Sequence, residues 1–294
     1  MIKLGVLGLG NIGSAFVKCF LDKGYTTYVF DIDRSKINAM QNIGANPVES
    51  EEELVRIADV IFTCLPNPQI VRNVYLSSEN GLLNFADSSK CFIDTSTVDP
   101  ETKKLINQQA SKKNIDLIDA PISSGPIEVS RGETVFLIGS SEEIYKKYES
   151  LLNSISKKVL YVGDSGSASA VKLINNMMSL VNVLVTTEAF HLGEAYGLDK
   201  KILYEALSNC AGRSFHFIKR FPKLIEGDLE AGFSLDLGTK DLRLALEMAS
   251  NLGGDSKFLN EVLHYYETAQ SIGLGNKDVI AVAEVTRYKQ KEEV

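Results

Sequence analysis

The first half of the chain alternates short β-rich runs with amphipathic stretches, and this alternation limits the possible folds more than any other feature. Several runs are apolar on both faces, as in strands of a parallel sheet that helices cover. Stretches with helical periodicity lie between them, such as 12–23 and 100–112. The predicted strands are Ile2–Leu7, Thr26–Phe30, Val60–Cys64, Cys91–Asp94, Ile115–Ile118, Val135–Ile138 and Val159–Val162. This order predicts an α/β fold with an N-terminal Rossmann-type doubly wound sheet.

After Gly163 the pattern changes, because strand signals stop and helical periodicity continues. Residues 165–196 read as one long helix, without Gly or Pro from Ser167 to Leu192, and Gly197 is its expected C-cap. Further helices are predicted at 200–210, 235–252, 257–272 and 278–287. We therefore expect a dinucleotide-binding domain at 1–163 and an all-helical substrate and oligomerisation domain at 164–294, joined by the long helix.

A glycine motif, Gly8-Leu9-Gly10-Asn11-Ile12-Gly13, follows the first strand and opens a helix. Alone, this spacing is also compatible with a simple tight turn. Here small residues follow in the helix, and Asp31 ends the next strand 18 positions after Gly13. The arrangement predicts a pyrophosphate at the helix N-terminus and a ribose held by the Asp31 carboxylate.

Local charge indicates which dinucleotide binds. Asp31 would repel a 2′-phosphate, and Asp33 adds a second negative charge, whereas Arg34 could pair with that phosphate. Because the carboxylate at the strand end usually decides, we expect NAD, with NADP as the alternative.

Two further segments fall where strands end, at the edge of the sheet that binds ligands in open α/β folds. They are Leu65-Pro66, after the third predicted strand, and Thr95-Ser96, after the fourth. We expect both to contact the cofactor. The alternative for Thr95 and Ser96 is an N-cap of the helix that begins near Pro100.

Lys172 lies in the long helix, which carries no other charge between Lys172 and Phe190 except Glu188. A helical lysine is usually solvated, but a helix this apolar is expected to be mostly buried. Asn176, one turn later, shares its face. A buried ammonium is costly unless it is paired or its pKa falls, and a lysine of lowered pKa can transfer protons. Lys172 is therefore a candidate catalytic residue, with Asn176 as its partner.

Four segments in order resemble the β-hydroxyacid dehydrogenase family, typified by 3-hydroxyisobutyrate dehydrogenase and tartronate semialdehyde reductase. They are the glycine motif at 8–13, Asp119-Ala120-Pro121-Ile122-Ser123-Ser124-Gly125, the stretch from Gly166 through Lys172 to Asn176, and Phe233 with Lys240-Asp241-Leu242. The resemblance covers almost the whole chain.

The resemblance implies a role for each matching residue. Lys172 would be the general acid/base, and Asn176 would bind the substrate. Ser123, Ser124 and the Gly125 backbone would bind the substrate carboxylate. Lys240 would lie beside the nicotinamide; sequence alone instead favours a surface lysine paired with Asp241.

The carboxylate-binding segment departs from the family pattern. The family usually has Ser-Gly-Gly where this chain has Ser123-Ser124-Gly125, and it continues with small residues where this chain has Pro126-Ile127-Glu128-Val129. Glu133 replaces the threonine of a usual Gly-Thr pair. Ser124 would either narrow the anion pocket or add a donor to it.

These features together predict an NAD(P)-dependent oxidoreductase that interconverts a small β-hydroxy acid and its semialdehyde. Two alternatives stay open. One is a catalytically silent dinucleotide-binding protein that acts through partners, because a fold does not fix an activity. The other is a succinic- or glyoxylate-type semialdehyde reductase that uses NADPH.

Composition limits the possible binding partners and the expected cellular compartment. Asp and Glu number 38 against 31 Lys and Arg, so the net charge of −7 gives no electrostatic reason to bind nucleic acid or an anionic membrane. We expect no apolar run long enough to span a bilayer. The four cysteines form no CxxC pair and three histidines are scattered, which predicts reduced thiols, a cytoplasmic location and no metal site. The apolar long helix predicts a homodimer or homotetramer.

Overall fold

The computed structural model describes residues 2–287, which form two compact units. The first unit runs to Lys172 and the second begins at Leu173, so the division falls inside the long helix. The predicted domains, divided after residue 163, remain a prediction, and residues 1 and 288–294 of them lie outside the described part.

The first unit contains a single sheet of eight strands in the order β3-β2-β1-β4-β5-β6-β7-β8. The strands are β1 Lys3–Leu7, β2 Thr26–Phe30, β3 Asn46–Pro47, β4 Val60–Thr63, β5 Cys91–Asp94, β6 Asp116–Asp119, β7 Thr134–Gly139 and β8 Ser156–Gly163. Strands β1 to β6 are parallel, β7 is antiparallel to β6, and β8 is parallel to β7. The doubly wound sheet is confirmed. Only β3 was not predicted, because two residues carry no periodicity.

Helices cover both faces of this sheet. They are α1 Asn11–Asp22, α2 Arg34–Gln41, α3 Glu51–Ile57, α4 Pro68–Leu76, α5 Leu82–Phe85, α6 Pro100–Ser111, α7 Pro126–Ser130 and α8 Glu142–Ser154. Because side chains alternate along a strand, Phe62 and Ile61 of β4 enter different cores. Phe62 packs against Phe16 and Phe20 of α1, at ring-centroid distances of 5.5 and 4.8 Å. This packing fixes α1 against the carboxyl end of β1.

The second unit is helical, as predicted. Its elements are the continuation of α9 Ser167–Ala195, then α10 Lys200–Ser208, α11 Phe215–Glu226, α12 Leu235–Asn251, α13 Lys257–Ser271, a 3₁₀ turn at Val279–Val282 and α14 Ala283–Thr286. Gly197 follows α9 at φ +98°, so it is the left-handed terminator that was expected.

One helix was missed and one helical prediction was wrong. Helix α11 was not predicted, and Pro222 lies inside it. The helix expected over 278–287 is instead a 3₁₀ turn followed by one short α turn. All residues from Val279 to Ala283 are buried, so this apolar run has no solvated face to give it amphipathic periodicity.

Helix α9 also corrects the expectation about membrane spans. Among residues 2–287 it is the one helix long and apolar enough to cross a bilayer by length and composition, and 39% of its apolar stretch is buried. Core helices pass the same test. Leu173, Leu180 and Phe190 of α9 belong to the core of the helical unit, which accounts for one side of its apolar surface.

Asp278 holds the segment before α12 in place. Its carboxylate, 4% exposed, accepts hydrogen bonds from the backbone N–H groups of Gly232, Phe233 and Ile280, and it pairs with Arg220 of α11. This cluster sets the start of the segment that includes Phe233 and Lys240.

Candidate functional site

The glycine motif forms a tight loop between β1 and α1. Gly8 has φ +90°, and a Cβ there would lie 2.4 Å from the carbonyl oxygen of Cys64. A Cβ on Gly13 would lie 1.8 Å from the carbonyl oxygen of Gly8. A Cβ on Gly10 would meet no atom within 4 Å. Gly8 and Gly13 are thus required by packing, whereas Gly10 faces space that a ligand can enter.

The N-terminus of α1 suits an anion. Gly10 is the N-cap and supplies no side-chain hydrogen bond, and the first turn, which begins Asn11-Ile12, has no acidic residue. The first N–H groups of a helix lack intrahelical partners and lie at the positive end of its dipole. The loop therefore fits the pyrophosphate of a dinucleotide.

Asp31 links the end of β2 to this loop. Its Oδ2 accepts a hydrogen bond from the N–H of Leu9 at 2.6 Å, and its Oδ1 accepts one from Asp33 at 2.8 Å. The residue is 8% exposed. Each carboxylate oxygen has a further lone pair, so Asp31 can still accept from ribose hydroxyls while it shapes the loop.

The neighbouring charges are engaged in contacts of their own. The Arg34 guanidinium lies 2.6 Å from Oε2 of Glu49, and that ion pair raises the pKa of Arg34. Asp33 caps α2 by accepting from the N–H and hydroxyl of Ser35, and these bonds lower its pKa. The cation expected to meet a 2′-phosphate therefore already has an anionic partner.

The ends of β4 and β5 are tied together by side chains. Ser96 Oγ accepts from the N–H of Leu65 at 2.9 Å, and Thr95 Oγ1 lies 3.0 Å from Sγ of Cys64. Burial raises the pKa of the Cys64 thiol to about 12, so it stays neutral. Pro66, the residue after Leu65, is exposed.

The N-cap alternative for Thr95 and Ser96 is wrong. Helix α6 is capped by Asp99, whose carboxylate accepts from the N–H of Thr102 at 2.7 Å. Both hydroxyl side chains instead belong to the loop at the carboxyl edge of the sheet.

The segment proposed to bind the substrate carboxylate has intramolecular contacts that the sequence did not predict. Ser124 Oγ accepts from the N–H of Val135 at 2.9 Å, which anchors the loop to β7. The N–H of Gly125 donates to Oε2 of Glu128 at 3.1 Å. Ser123 is exposed. A substrate carboxylate that uses the Gly125 N–H would have to replace the chain's own carboxylate there.

On α9, Lys172 is half-buried rather than buried, and Asn176 is buried. Asn176 Nδ2 donates to Oδ2 of Asp241 on α12 at 2.6 Å. The other oxygen of Asp241 lies 3.0 Å from Nζ of Lys240, in an ion pair without well-aligned hydrogen-bond geometry. Lys240 therefore has the partner that the sequence favoured. Its side chain is only 22% exposed, however, so it is not an open surface lysine.

Sequence reasoning missed a buried charged cluster that consists of Lys103, Asp94 and Asp119. Lys103 Nζ lies 2.6 Å from Oδ2 of Asp94 and 3.4 Å from Oδ1 of Asp119, and all three side chains are at most 1% exposed. The signal was present, because Lys103 shares the buried face of α6 with Ile106 and Ala110.

Among residues 2–287, no group of three or more His, Cys, Asp or Glu side chains is arranged to hold a metal ion. All four cysteines are free thiols.

Two family models match the chain in succession. Residues 3–163 match the NAD binding domain of 6-phosphogluconate dehydrogenase. Residues 166–286 match the NAD-binding region of NADP-dependent 3-hydroxyisobutyrate dehydrogenase. Together they cover the glycine loop, the segment 119–125 and the long helix.

Individual relatives match over nearly the full length. The chain is 33% identical to 2-(hydroxymethyl)glutarate dehydrogenase of Eubacterium barkeri, over 97% of this chain and 94% of the relative. It is 30% identical to 3-sulfolactaldehyde reductase of Escherichia coli K12, over 98% and 96%. The structure of Mycobacterium tuberculosis 3-hydroxyisobutyrate dehydrogenase with L-serine superposes with a TM-score of 0.88 at 25% identity, over 98% of this chain and 100% of that one.

The open space at Gly10 yields a prediction. Gly10→Ala should leave the fold intact, because its backbone is extended at φ −66° and the added Cβ meets no protein atom. The same Cβ should obstruct the pyrophosphate and raise the Kd for NAD by about tenfold or more, equivalent to about 1.4 kcal/mol. Isothermal titration calorimetry measures the affinity. Gly212→Ala, which also adds a Cβ to open space, is the control. Unchanged NAD affinity in Gly10→Ala would exclude a close approach of the cofactor at this loop.

Proposed function

Because the chain belongs to the β-hydroxyacid dehydrogenase family and is an NAD(P)-dependent oxidoreductase acting on CH–OH groups, we propose that it interconverts a small β-hydroxy acid and its semialdehyde with Lys172 as general acid/base. The observation that carries the proposal is the placement of Lys172 and Asn176 one turn apart on α9, in a chain whose glycine loop fits a dinucleotide.

Each candidate residue has a distinct task in this reaction. A bound nicotinamide cofactor would supply the hydride acceptor for oxidation and the hydride donor for reduction. Lys172 takes the proton of the substrate hydroxyl during oxidation and donates it to the aldehyde oxygen during reduction. Asn176 is held by Asp241 and presents its amide to the substrate. The fixed amide orients the reacting carbon, so its contribution is positional.

The remaining residues bind the two ligands. Ser123, Ser124 and Gly125 hold the substrate carboxylate, with Glu128 as the internal group that it replaces. Lys240 contributes positive charge beside the nicotinamide. The other proposed cofactor contacts are Gly8, Gly10, Asn11, Ile12, Gly13, Asp31, Leu65, Pro66, Thr95 and Ser96.

The proposed substrate carries an anionic group. Two relatives that match over nearly their full length are named for such molecules, a hydroxymethyl glutarate and a sulfolactaldehyde. Glu128 supports this class, because a backbone N–H that binds the chain's own carboxylate can bind an incoming one. Displacing Glu128 would favour substrates whose anion binds tightly enough to compete.

NAD is the proposed physiological cofactor. Asp31 sits beside the glycine loop as a buried anion, and Arg34 is already paired with Glu49. A 2′-phosphate would meet the carboxylate without gaining an unpaired cation, because Lys36 already lies 3.9 Å from the carboxylates of both Asp31 and Asp33. An NADPH-dependent semialdehyde reductase is the alternative, and it requires Arg34 to leave Glu49.

A second chain is the proposed partner of α9. One side of this helix exposes an apolar stripe, with side chains 37 to 61% exposed. The stripe consists of Val171, Ile174, Met178, Val185 and Leu192. Two-fold pairing of such stripes gives a homodimer, and pairing of dimers gives a homotetramer.

We place the enzyme in the cytoplasm, because its cysteines are free thiols and a reducing compartment keeps thiols in that form.

Removing the amine of Lys172 should slow proton transfer without changing cofactor binding. Lys172→Ala should lower kcat by about 10²-fold or more, in line with general acid/base catalysis. The Kd for NADH should stay within about twofold, because Lys172 is not among the proposed cofactor contacts. Stopped-flow and steady-state NADH oxidation measure both quantities. Lys201→Ala, at an exposed lysine, is the control. Wild-type turnover in Lys172→Ala would remove Lys172 from the reaction.

Cofactor preference should respond to two residues together. Asp31→Asn alone should weaken NAD binding and raise NADP affinity modestly, because Arg34 stays paired with Glu49. Asp31→Asn with Glu49→Gln should shift the preference further, by about another threefold, since the released guanidinium can pair with the 2′-phosphate but is exposed and screened by solvent. The ratio of kcat/KM for the two cofactors is the measurement. A wild-type preference for NADP would show that Arg34 outweighs Asp31.

The oligomer should depend on the α9 stripe. At micromolar concentration, sedimentation should give a mass at least twice that of the 32.3 kDa chain. Met178→Glu, which places a charge in the middle of the stripe, should shift the protein towards the monomer. A monomeric wild type would show that the stripe is not an interface between copies.

A further inference from the structure

Lys103 is a lysine whose burial needs an explanation that the proposed reaction does not give. Its side chain is 1% exposed, and its ammonium contacts the carboxylates of Asp94 and Asp119 and the backbone oxygen of Asp94 at 3.1 Å. One positive and two negative charges leave a net buried charge of −1 when all three groups are ionised. Burying charges is expensive unless each has good partners, so the contacts of the two carboxylates matter.

Asp119 holds the start of α9. Its Oδ2 accepts from the N–H groups of Gly166 and Ser169 at 3.2 and 2.9 Å, and its Oδ1 accepts from the hydroxyl of Ser169 at 2.8 Å. The first N–H groups of a helix have no intrahelical acceptor. Asp119 therefore supplies what the first turn of α9 lacks, and Lys172 lies three positions after Ser169.

Asp94 holds the loop at the end of β5, which contains the proposed cofactor contacts Thr95 and Ser96. Its Oδ1 accepts from the N–H of Ser96 and from the hydroxyl of Thr63. Lys103 binds the other oxygen, Oδ2. The lysine thus bridges the end of β5, where Thr95 and Ser96 lie, and the end of β6, from which the start of α9 is held.

We propose that Lys103 is a positioning residue for Lys172, acting through Asp119 and the first turn of α9. The inference rests on the proposed function only for the role of Lys172. The ammonium of Lys103 favours the ionised form of Asp119, in which both carboxylate oxygens can accept hydrogen bonds from α9. Without the ammonium, a protonated Asp119 would offer a donor where the helix needs an acceptor.

The chemistry of Asp119 agrees with this role. Burial raises the pKa of Asp119, while Lys103 and the bonds from Ser169 act in the opposite direction. Removing Lys103 leaves desolvation and the neighbouring Asp94 charge, both of which favour the protonated acid.

The experiment compares adjacent lysines in the same helix. Lys103→Met removes the buried ammonium but keeps the apolar stem. Lys104→Met is the control, because Lys104 is 61% exposed and pairs with Glu101 at the surface. Lys103→Arg restores the charge. Ser169→Ala removes one bond to Asp119 and leaves Lys103 in place, so it serves if Lys103→Met does not fold.

Two readouts separate this inference from the proposed function. Hydrogen exchange of the peptide over 164–172 should accelerate about tenfold or more in Lys103→Met, with the β1 peptide unchanged, because the Ser169 N–H depends on Asp119. In steady-state assays kcat should fall by about 10- to 100-fold while the substrate KM stays within about twofold, as expected for a misplaced acid/base. Lys103→Arg should recover both, and Ser169→Ala should show a smaller change in the same direction.

The inference is overturned if hydrogen exchange and kcat in Lys103→Met match those in Lys104→Met. If only Ser169→Ala folds, wild-type hydrogen exchange and kcat in that variant overturn it. A matched fall in kcat with unchanged exchange would also contradict it, because Lys103 would then act by another route. If the wild type turns over no substrate, the proposed function fails, and the exchange measurement still decides whether Lys103 fixes the start of α9.

Discussion

The placement of Lys172 in the proposed site depends on the carboxylate of Asp119, which holds the start of α9. This carboxylate satisfies the N–H groups of Gly166 and Ser169 and is itself held by the buried ammonium of Lys103. Since Lys172 follows in the second turn of this 29-residue helix, the first turn sets the position and rotation of Lys172. A rigid helix fixed at a charged end is a suitable support for a group that must meet a substrate proton within hydrogen-bond distance.

Much of the fold could be predicted because its signals are local. The apolar runs of the first unit and the Gly-free stretch of α9 specify their own structure, and Gly197 ends that helix as expected. The glycine loop was equally predictable, since Gly8 adopts a left-handed φ of +90° and a Cβ on Gly13 would meet the carbonyl oxygen of Gly8 within the same motif. The run at 279–283 was predicted wrongly because it is buried on all sides and its conformation is set by its surroundings.

The candidate site was less predictable where a side chain has a distant partner. The ion pairs Arg34–Glu49 and Lys103–Asp119 join residues that are 15 and 16 positions apart in the sequence, and no spacing rule predicts them. Glu128 was noticed as a departure from the family pattern, but its contact with the Gly125 N–H required the geometry of α7. Residue types therefore indicated which chemistry is present, whereas the structure showed which groups are already committed to intramolecular contacts.

The central claim is that this chain is a working dehydrogenase for a small anionic substrate. The most direct measurement is NADH oxidation by the wild-type protein with a panel of three- and four-carbon aldehydes, each carboxylate compared with its neutral amide. We expect turnover with at least one carboxylate semialdehyde and a kcat/KM at least about tenfold lower for its amide, the loss expected when a charged hydrogen-bonding group is removed. NADH binding without turnover on any member of the panel would contradict it and would indicate a catalytically silent dinucleotide-binding protein.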